Sequence, residues 1–291
     1  NLHTLALDFY SGVVMAVKEA GQLGIEVVLD VLDTQNDKAY LQAEFKNRDW
    51  SNTDVLIGPM IPSNFDILSL QDSLSLIPMV APLSSNPVIS RPNVYQSVTS
   101  PELLREKMFT YLNTVLDSTQ NVLIITDTLN REVENQLHNR FPFAQILRPE
   151  AGGYVVPDLI DSLLVDTLSN KVVFESQNLG LIASVTSLLN SQVSKERDVQ
   201  LFTTFRSNAY DDSNISKKQL GNLKFTYTAG AYSDESNRSE EFDSLYVSSF
   251  GDLPKREALR GYDVTMDVIL RFAHQKQLRT DSIGETEYIE S

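Results

Sequence analysis

Short apolar runs recur along this chain, and segments of helical spacing separate nearly every pair of them. The runs at 25–32, 55–57, 78–81, 122–125, 145–147, 172–174 and 200–203 read as strands. Between them, apolar residues at helical spacing predict helices. The first covers 2–24 through Leu2, Leu5, Phe9, Val13, Ala16, Val17 and Ala20, with Gly24 as its C-cap. Others are predicted over 40–48, 131–139, 157–168 and 179–189. Ser63-Asn64-Phe65-Asp66 has the form of a capping box, and Ser100-Pro101-Glu102 places a cap, an N1 proline and an acid at a helix start.

Strand and helix alternating in this way predict parallel sheets with helices on both faces. Strands of continuous apolar character agree, because a parallel strand is covered on both sides. With 291 residues the chain exceeds one small core, and two doubly wound lobes are easier to build than one very wide sheet. The fold class expected is therefore α/β with two parallel-sheet lobes. Lobe I is assigned to 1–98 and 228–275. Lobe II is assigned to 99–227, with 276–291 as a candidate addition, and hinges are expected near 96–100 and 223–230.

Composition excludes several function classes. A net charge of −15 leaves little to neutralise phosphates, so no nucleic-acid partner is expected. No apolar run reaches the roughly 18 residues of a membrane helix. The chain has no cysteine, which removes disulfides, thiol catalysis and cysteine-ligated zinc together. His3, His138 and His274 sit in no catalytic pattern, and no nucleophile elbow, zinc-protease pair, Walker loop or calcium loop occurs. The chain is read as not an enzyme, and no cofactor or metal is expected.

In open parallel sheets, ligands bind beyond the carboxyl ends of the strands. Those ends fall at 58–64, 82–87, 127–128, 176–178 and 203–207. They are rich in Ser, Thr, Asn and Gln and poor in charge, which suits a carboxylate or a neutral polar solute. The same residues also serve as ordinary helix caps and turns. Both readings stay open on the residues alone.

Several segments carry a resemblance. Residues 7–17, Asp-Phe-Tyr-Ser-Gly with its flanks, resemble the first helix of the leucine/isoleucine/valine-binding members of the type 1 periplasmic-binding-protein family. Residues 54–59 and 77–87 are similar to that family's second and third binding loops. Residues 93–97 resemble the strand before the first lobe crossing, and 261–268 the late helix that returns to the first lobe. The Asp-Phe-Tyr-Ser-Gly opening and the Ser-Ser-Asn-Pro turn also resemble Bacteroidota envelope proteins that carry a peptidoglycan-binding LysM segment.

The resemblance implies a two-lobed module of the periplasm or cell envelope with a small polar or amino-acid-like ligand between its lobes. Ser84 and Ser85 match the loop that holds a ligand carboxylate, and Pro59 to Ser63 the loop below it. Ser176, Gln177 and Asn178 match the loop that closes over the ligand from the second lobe, and Thr204 stands in the loop after the following strand. Relative to that family, a first strand with its Ser/Gly-rich loop would precede residue 1, and Thr286-Glu287-Tyr288-Ile289-Glu290 looks like a strand cut short. The family's amino-acid binders place an acid after the strand matching 201–203. Here the loop reads Thr204-Phe205-Arg206-Ser207, with no acid before Asp211, and an arginine there would repel an ammonium. The alternative reading is a ligand-free envelope scaffold or regulator with peptidoglycan-associated protein partners.

Overall fold

The computed structural model describes residues 2–85, 89–150, 153–230, 240–275 and Leu278. The chain divides into two units, one containing Asn1–Ser100 with the residues from Gly230 onward, the other Pro101–Ala229.

In the first unit, strands β1 (Leu56–Ile57), β2 (Met79–Ala81) and β3 (Val94–Gln96) form a parallel sheet in that order. β2 is buried along its whole length, and the pleat sends its side chains alternately to the two faces. Met79 and Ala81 pack with Leu41 and Phe45 of α2 (Lys38–Asn47) and with Phe65 and Leu68 of α3 (Pro62–Ser69). Val80 points the other way, onto Val264 and Val268 of α10 (Arg256–Gln275) and onto Leu278. Both faces are therefore covered, which is why the central strand carries no polar residue. The candidate placement of 276–291 in the second lobe lies outside the described residues except at Leu278, which packs in the first unit. The strand read at 286–290 lies outside them as well.

Helix α1 (Leu2–Gln22) ends as its sequence predicts. Gly24 takes φ +81°, and the Ile25 and Gly24 N–H groups bond to the Ala20 and Gly21 carbonyls, a Schellman cap. Along α1 and α10 the two helices approach at backbone distance through Gly12 and Gly261. Met15 and Ala16 of α1 pack with Tyr262 and Met266 of α10, and Phe242 and Tyr246 of α9 (Glu240–Phe250) close the cluster.

In the second unit a parallel sheet runs in the order β5-β4-β6-β7, with β4 Asn121–Thr126, β5 Gln145–Leu147, β6 Asn170–Glu175 and β7 Val199–Phe202. Leu123, Ile125, Val172, Phe174 and Leu201 face α7 (Leu179–Gln192) and α6 (Pro157–Leu163). Val122, Ile124, Val173 and Phe202 face α4 (Pro101–Val115) and α5 (Arg131–Arg140). α8 (Lys217–Asn222) follows β7.

Three expectations are corrected. The run 25–32 pairs with no strand among the described residues, and Val28 is 91% exposed. β-branched residues favour a strand only against a partner edge, and of this run Leu32 alone joins the neighbouring core. The capping box at Ser63–Asp66 does not form, because the N-cap is Ile61, two residues earlier, with Pro62 in the first turn, where a missing N–H costs nothing. The helix predicted to Leu168 stops at Leu163. Beyond it the Asn170 side chain holds both the N–H and the carbonyl of Val165, which diverts the chain into a loop.

Candidate functional site

In the second unit, β4 has β5 on one side and β6 and β7 on the other. The order reverses between β4 and β6, and such a switch point opens a crevice at the carboxyl ends of those strands. Asp127 follows β4 there, and Glu175 and Ser176 end β6. The Ser176 hydroxyl donates to Asp127 Oδ2 at 2.6 Å, and Asp127 Oδ1 accepts from Leu129 N and Asn130 Nδ2. Asn178 is the N-cap of α7, accepting from Leu181 N at 3.0 Å, and Gln177 is exposed beside it. Of the expected second-lobe residues, Ser176 and Asn178 are thus engaged by the chain itself and Gln177 faces solvent.

Thr204, at the end of the neighbouring β7, is fully buried. Its hydroxyl accepts from Arg105 Nε of α4 at 3.1 Å, and its N–H donates to Glu175 Oε1. The arginine expected to repel a ligand ammonium is already paired, since Arg206 forms an ion pair with Asp211 and lies 5.0 Å from the Tyr227 ring centre.

Two buried acids in this unit behave in opposite ways. Burial works to raise Glu134, but hydrogen bonds from Arg148 (Nη2 to Oε1, 2.6 Å) and Thr126 and the Arg148 charge outweigh it, and the carboxyl is held below its usual range. Glu175 has no such fork. Burial pushes it up to about 7, against the Thr204 hydrogen bonds and the Arg105 charge, which pull it down. A cation within hydrogen-bond distance is what separates the two.

In the first unit, the carboxyl ends of β1 and β2 lie side by side. Pro59, after a cis Gly58–Pro59 bond, is half-buried, as are Ser84 and Ser85. The Ser84 carbonyl accepts from Gln96 Nε2 of β3 at 3.0 Å, which ties the serine loop to the next strand. Ser63 is exposed on the first turn of α3. The turn residues 86–88 lie outside the described residues. The sheets therefore bring Pro59 close in the fold to Ser84 and Ser85, and Ser176 to Thr204, each pair within its own unit.

The sequence reading missed three residues of this kind. Glu175 stands between the apolar run 172–174 and the loop 176–178, and neither reading included it. Arg105 lies in the helix after Pro101 and carries no sequence signal of its own. Asn64 sat inside the supposed capping box, yet it is 1% exposed and neither of its side-chain polar atoms has a hydrogen-bond partner. Among the described residues, no group of three or more His, Asp or Glu comes together as a metal site would need, and no helix is long and apolar enough to cross a membrane.

No protein-family model matches the chain, and no curated protein matches it. Solved structures do. A protein described as a branched-chain amino acid ABC transporter from Rhodospirillum rubrum aligns at 12% identity over 92% of this chain and 79% of its own, with a TM-score of 0.59. A substrate-binding protein of an ABC transporter from Desulfitobacterium hafniense, in complex with leucine, aligns at 16% identity over 92% and 80%, with a TM-score of 0.50. LpoA from Haemophilus influenzae aligns at 17% over 94% of this chain, which spans 48% of LpoA, with a TM-score of 0.52. At these identities the likeness is one of fold. The fold is that of the type 1 periplasmic binding proteins, with parallel α/β sheets covered on both faces. The matches give no support to the narrower likeness to LysM-associated Bacteroidota proteins.

Proposed function

We propose that this chain is a non-catalytic solute-binding module of the periplasm or cell envelope, taking a small polar or amino-acid-like ligand. The observation that carries this reading is the set of polar loops at the strand ends, Ser84 and Ser85 after β2 and Asp127 and Ser176 at the β4/β6 switch point. Solved proteins of this fold described as substrate-binding or in complex with leucine support it. In this reading Ser84 and Ser85 hold the acidic or polar end of the ligand, with Pro59 and Ser63 below them.

Isothermal calorimetry against a panel of amino acids and peptidoglycan fragments tests the proposal. A panel member is expected to bind, and replacing Ser84 and Ser85 together by alanine is expected to weaken that binding roughly 5- to 150-fold, the loss of two hydrogen bonds worth about 1–3 kcal/mol in all. Leucine, isoleucine and valine are expected to bind weakly or not at all. Asp211 is committed to Arg206 and Glu175 to Thr204, so neither carboxylate is offered to an ammonium. Micromolar leucine binding would contradict that assignment.

A second reading, a scaffold that keeps the fold for protein partners of the envelope, has its own observation. Ser176 and Thr204 spend their hydroxyls, and Asn178 its Oδ1, on groups of the chain itself. Silence across the whole panel would favour it.

A further inference from the structure

One carboxyl group in the second unit has neighbours that its ionised form cannot all satisfy. Glu175 is 2% exposed. Its Oε1 accepts the Thr204 N–H and lies 3.2 Å from Thr203 Oγ1. That same Thr203 oxygen lies 3.1 Å from the Phe205 carbonyl oxygen. A threonine hydroxyl has one proton to give. With Glu175 ionised, Thr203 serves either the carboxylate or the Phe205 carbonyl, and the other loses its donor. With Glu175 protonated, the acid donates to Thr203 Oγ1, Thr203 donates onward to Phe205, and each of these contacts becomes a hydrogen bond.

The charged and titratable groups around this chain of bonds are few. Arg105, from α4, reaches the Thr204 hydroxyl and packs near the Phe205 ring, 5.9 Å from its centre. It makes no ion pair with Glu175. Asp127, after β4, is occupied by Ser176 and Asn130. Arg206 is held by Asp211. Tyr210 is 1% exposed, and its hydroxyl stands beside Thr203 and within the field of Glu175 without a well-formed hydrogen bond. No neighbouring cation therefore forms a direct hydrogen bond that would fix Glu175 in its charged state.

We propose that Glu175 is a positioning residue for the 203–207 loop, and that its proton selects between two hydrogen-bond arrangements of Thr203, Thr204 and Phe205. The inference leans on the proposed solute-binding reading only for its consequence, that the presentation of this loop changes with pH. Burial pushes the carboxyl up to about 7. An acid raised in the folded state stabilises the fold fully below its unfolded value of 4.5, and that contribution is lost as the pH rises through the folded value. The switch therefore operates between mildly acidic and neutral pH.

Proton–nitrogen NMR of the ligand-free protein from pH 5 to 9 tests this without any solute. The amides of Thr204 and Arg206, the latter reporting the Phe205 carbonyl, are expected to move together with one midpoint near 7. In Glu175→Gln, which keeps an acceptor for Thr204 but has no proton to lose, both are expected to stay flat. A flat wild-type profile, or one that survives the glutamine, overturns the proposal. The glutamine control also separates Glu175 from the three histidines of the chain. Should Glu175→Gln not fold, Thr203→Val decides. Thr204 should still titrate while Arg206 falls silent, and continued titration at Arg206 sinks the coupling. Because no ligand enters, the result stands whether or not a solute is ever found.

Discussion

Gly12→Ala is expected to destabilise the first unit by more than about 4 kcal/mol, the range reserved for substitutions with a specific structural cause. A Cβ built at Gly12 would lie 1.8 Å from the Ala258 carbonyl oxygen and 2.6 Å from the Tyr262 nitrogen. At Gly261 it would lie 2.1 Å from the Phe9 carbonyl oxygen. These obstacles are backbone atoms of the facing helix, so no rotamer change relieves them. The helices would have to separate by more than an ångström along a seam that carries Met15, Ala16, Tyr262 and Met266. That separation would also strain the buried hydrogen bond between the Ser11 and Tyr246 hydroxyls (2.6 Å) and the bond from Tyr262 to Glu19 (2.7 Å). Helix propensity opposes the loss by only about 1 kcal/mol.

Gly21 supplies the control. It lies in the same helix with nothing within 4 Å of a built Cβ, so Gly21→Ala should be neutral or stabilising by up to about 1 kcal/mol. Urea unfolding of the two variants is expected to move the midpoint in opposite directions. A Gly12→Ala midpoint within error of wild type would show that the helix seam yields more than packed backbones normally do.

Those glycines mark where the sequence could be read and where it could not. Gly24 was legible as a cap, because a glycine after a periodic run needs only local geometry. Gly12 sits inside a helix, where glycine by propensity alone is unfavourable. Its value depends on Ala258, more than two hundred residues later, and no local pattern carries that information. The strands show the same division. The runs at β4 and β6 were plain because both of their faces are buried. The run at 25–32 is also rich in Val and Leu and misled, because propensity does not supply a partner strand. Pro59, Ser84 and Ser85 could be placed at strand ends from spacing alone. Glu175 could not, because its meaning lies in Thr203 and Thr204 on the next strand and in Arg105 on a helix before the sheet. The pairing of Arg206 was hidden for a related reason. Asp211 is the first acid after Arg206 in the sequence, and a short helical turn brings it back into an ion pair.

Asn170→Ala is expected to cost the second unit about 3–5 kcal/mol, comparable to breaking a buried polar network. Asn170 is fully buried at the first position of β6. Its Oδ1 accepts from Val165 N and from Asn121 Nδ2, both at 2.8 Å. Its Nδ2 lies 2.9 Å from the Val165 carbonyl, 3.0 Å from that of Asp198 and 3.2 Å from that of Leu168. Asn121 extends the network to the Leu163 carbonyl and accepts from Gln145 Nε2. Two side-chain amides, Asn170 and Asn121, thus join the end of α6, the following loop and the starts of four strands. Alanine would take the partner from the half-buried Val165 N–H and carbonyl and from one Asn121 amide proton, and each buried group left bare costs about 1–3 kcal/mol. Asn170→Asp should be at least as damaging. It keeps the size of the side chain but turns the face that now donates to three carbonyls into a buried acceptor. The order expected in urea unfolding is wild type, then alanine, with aspartate equal to alanine or below it, and hydrogen exchange at the Val165 amide should accelerate in both variants. If aspartate instead matched wild type at neutral pH, the side chain would have to be oriented with its oxygen where the structure places its nitrogen, and the network as described would be wrong.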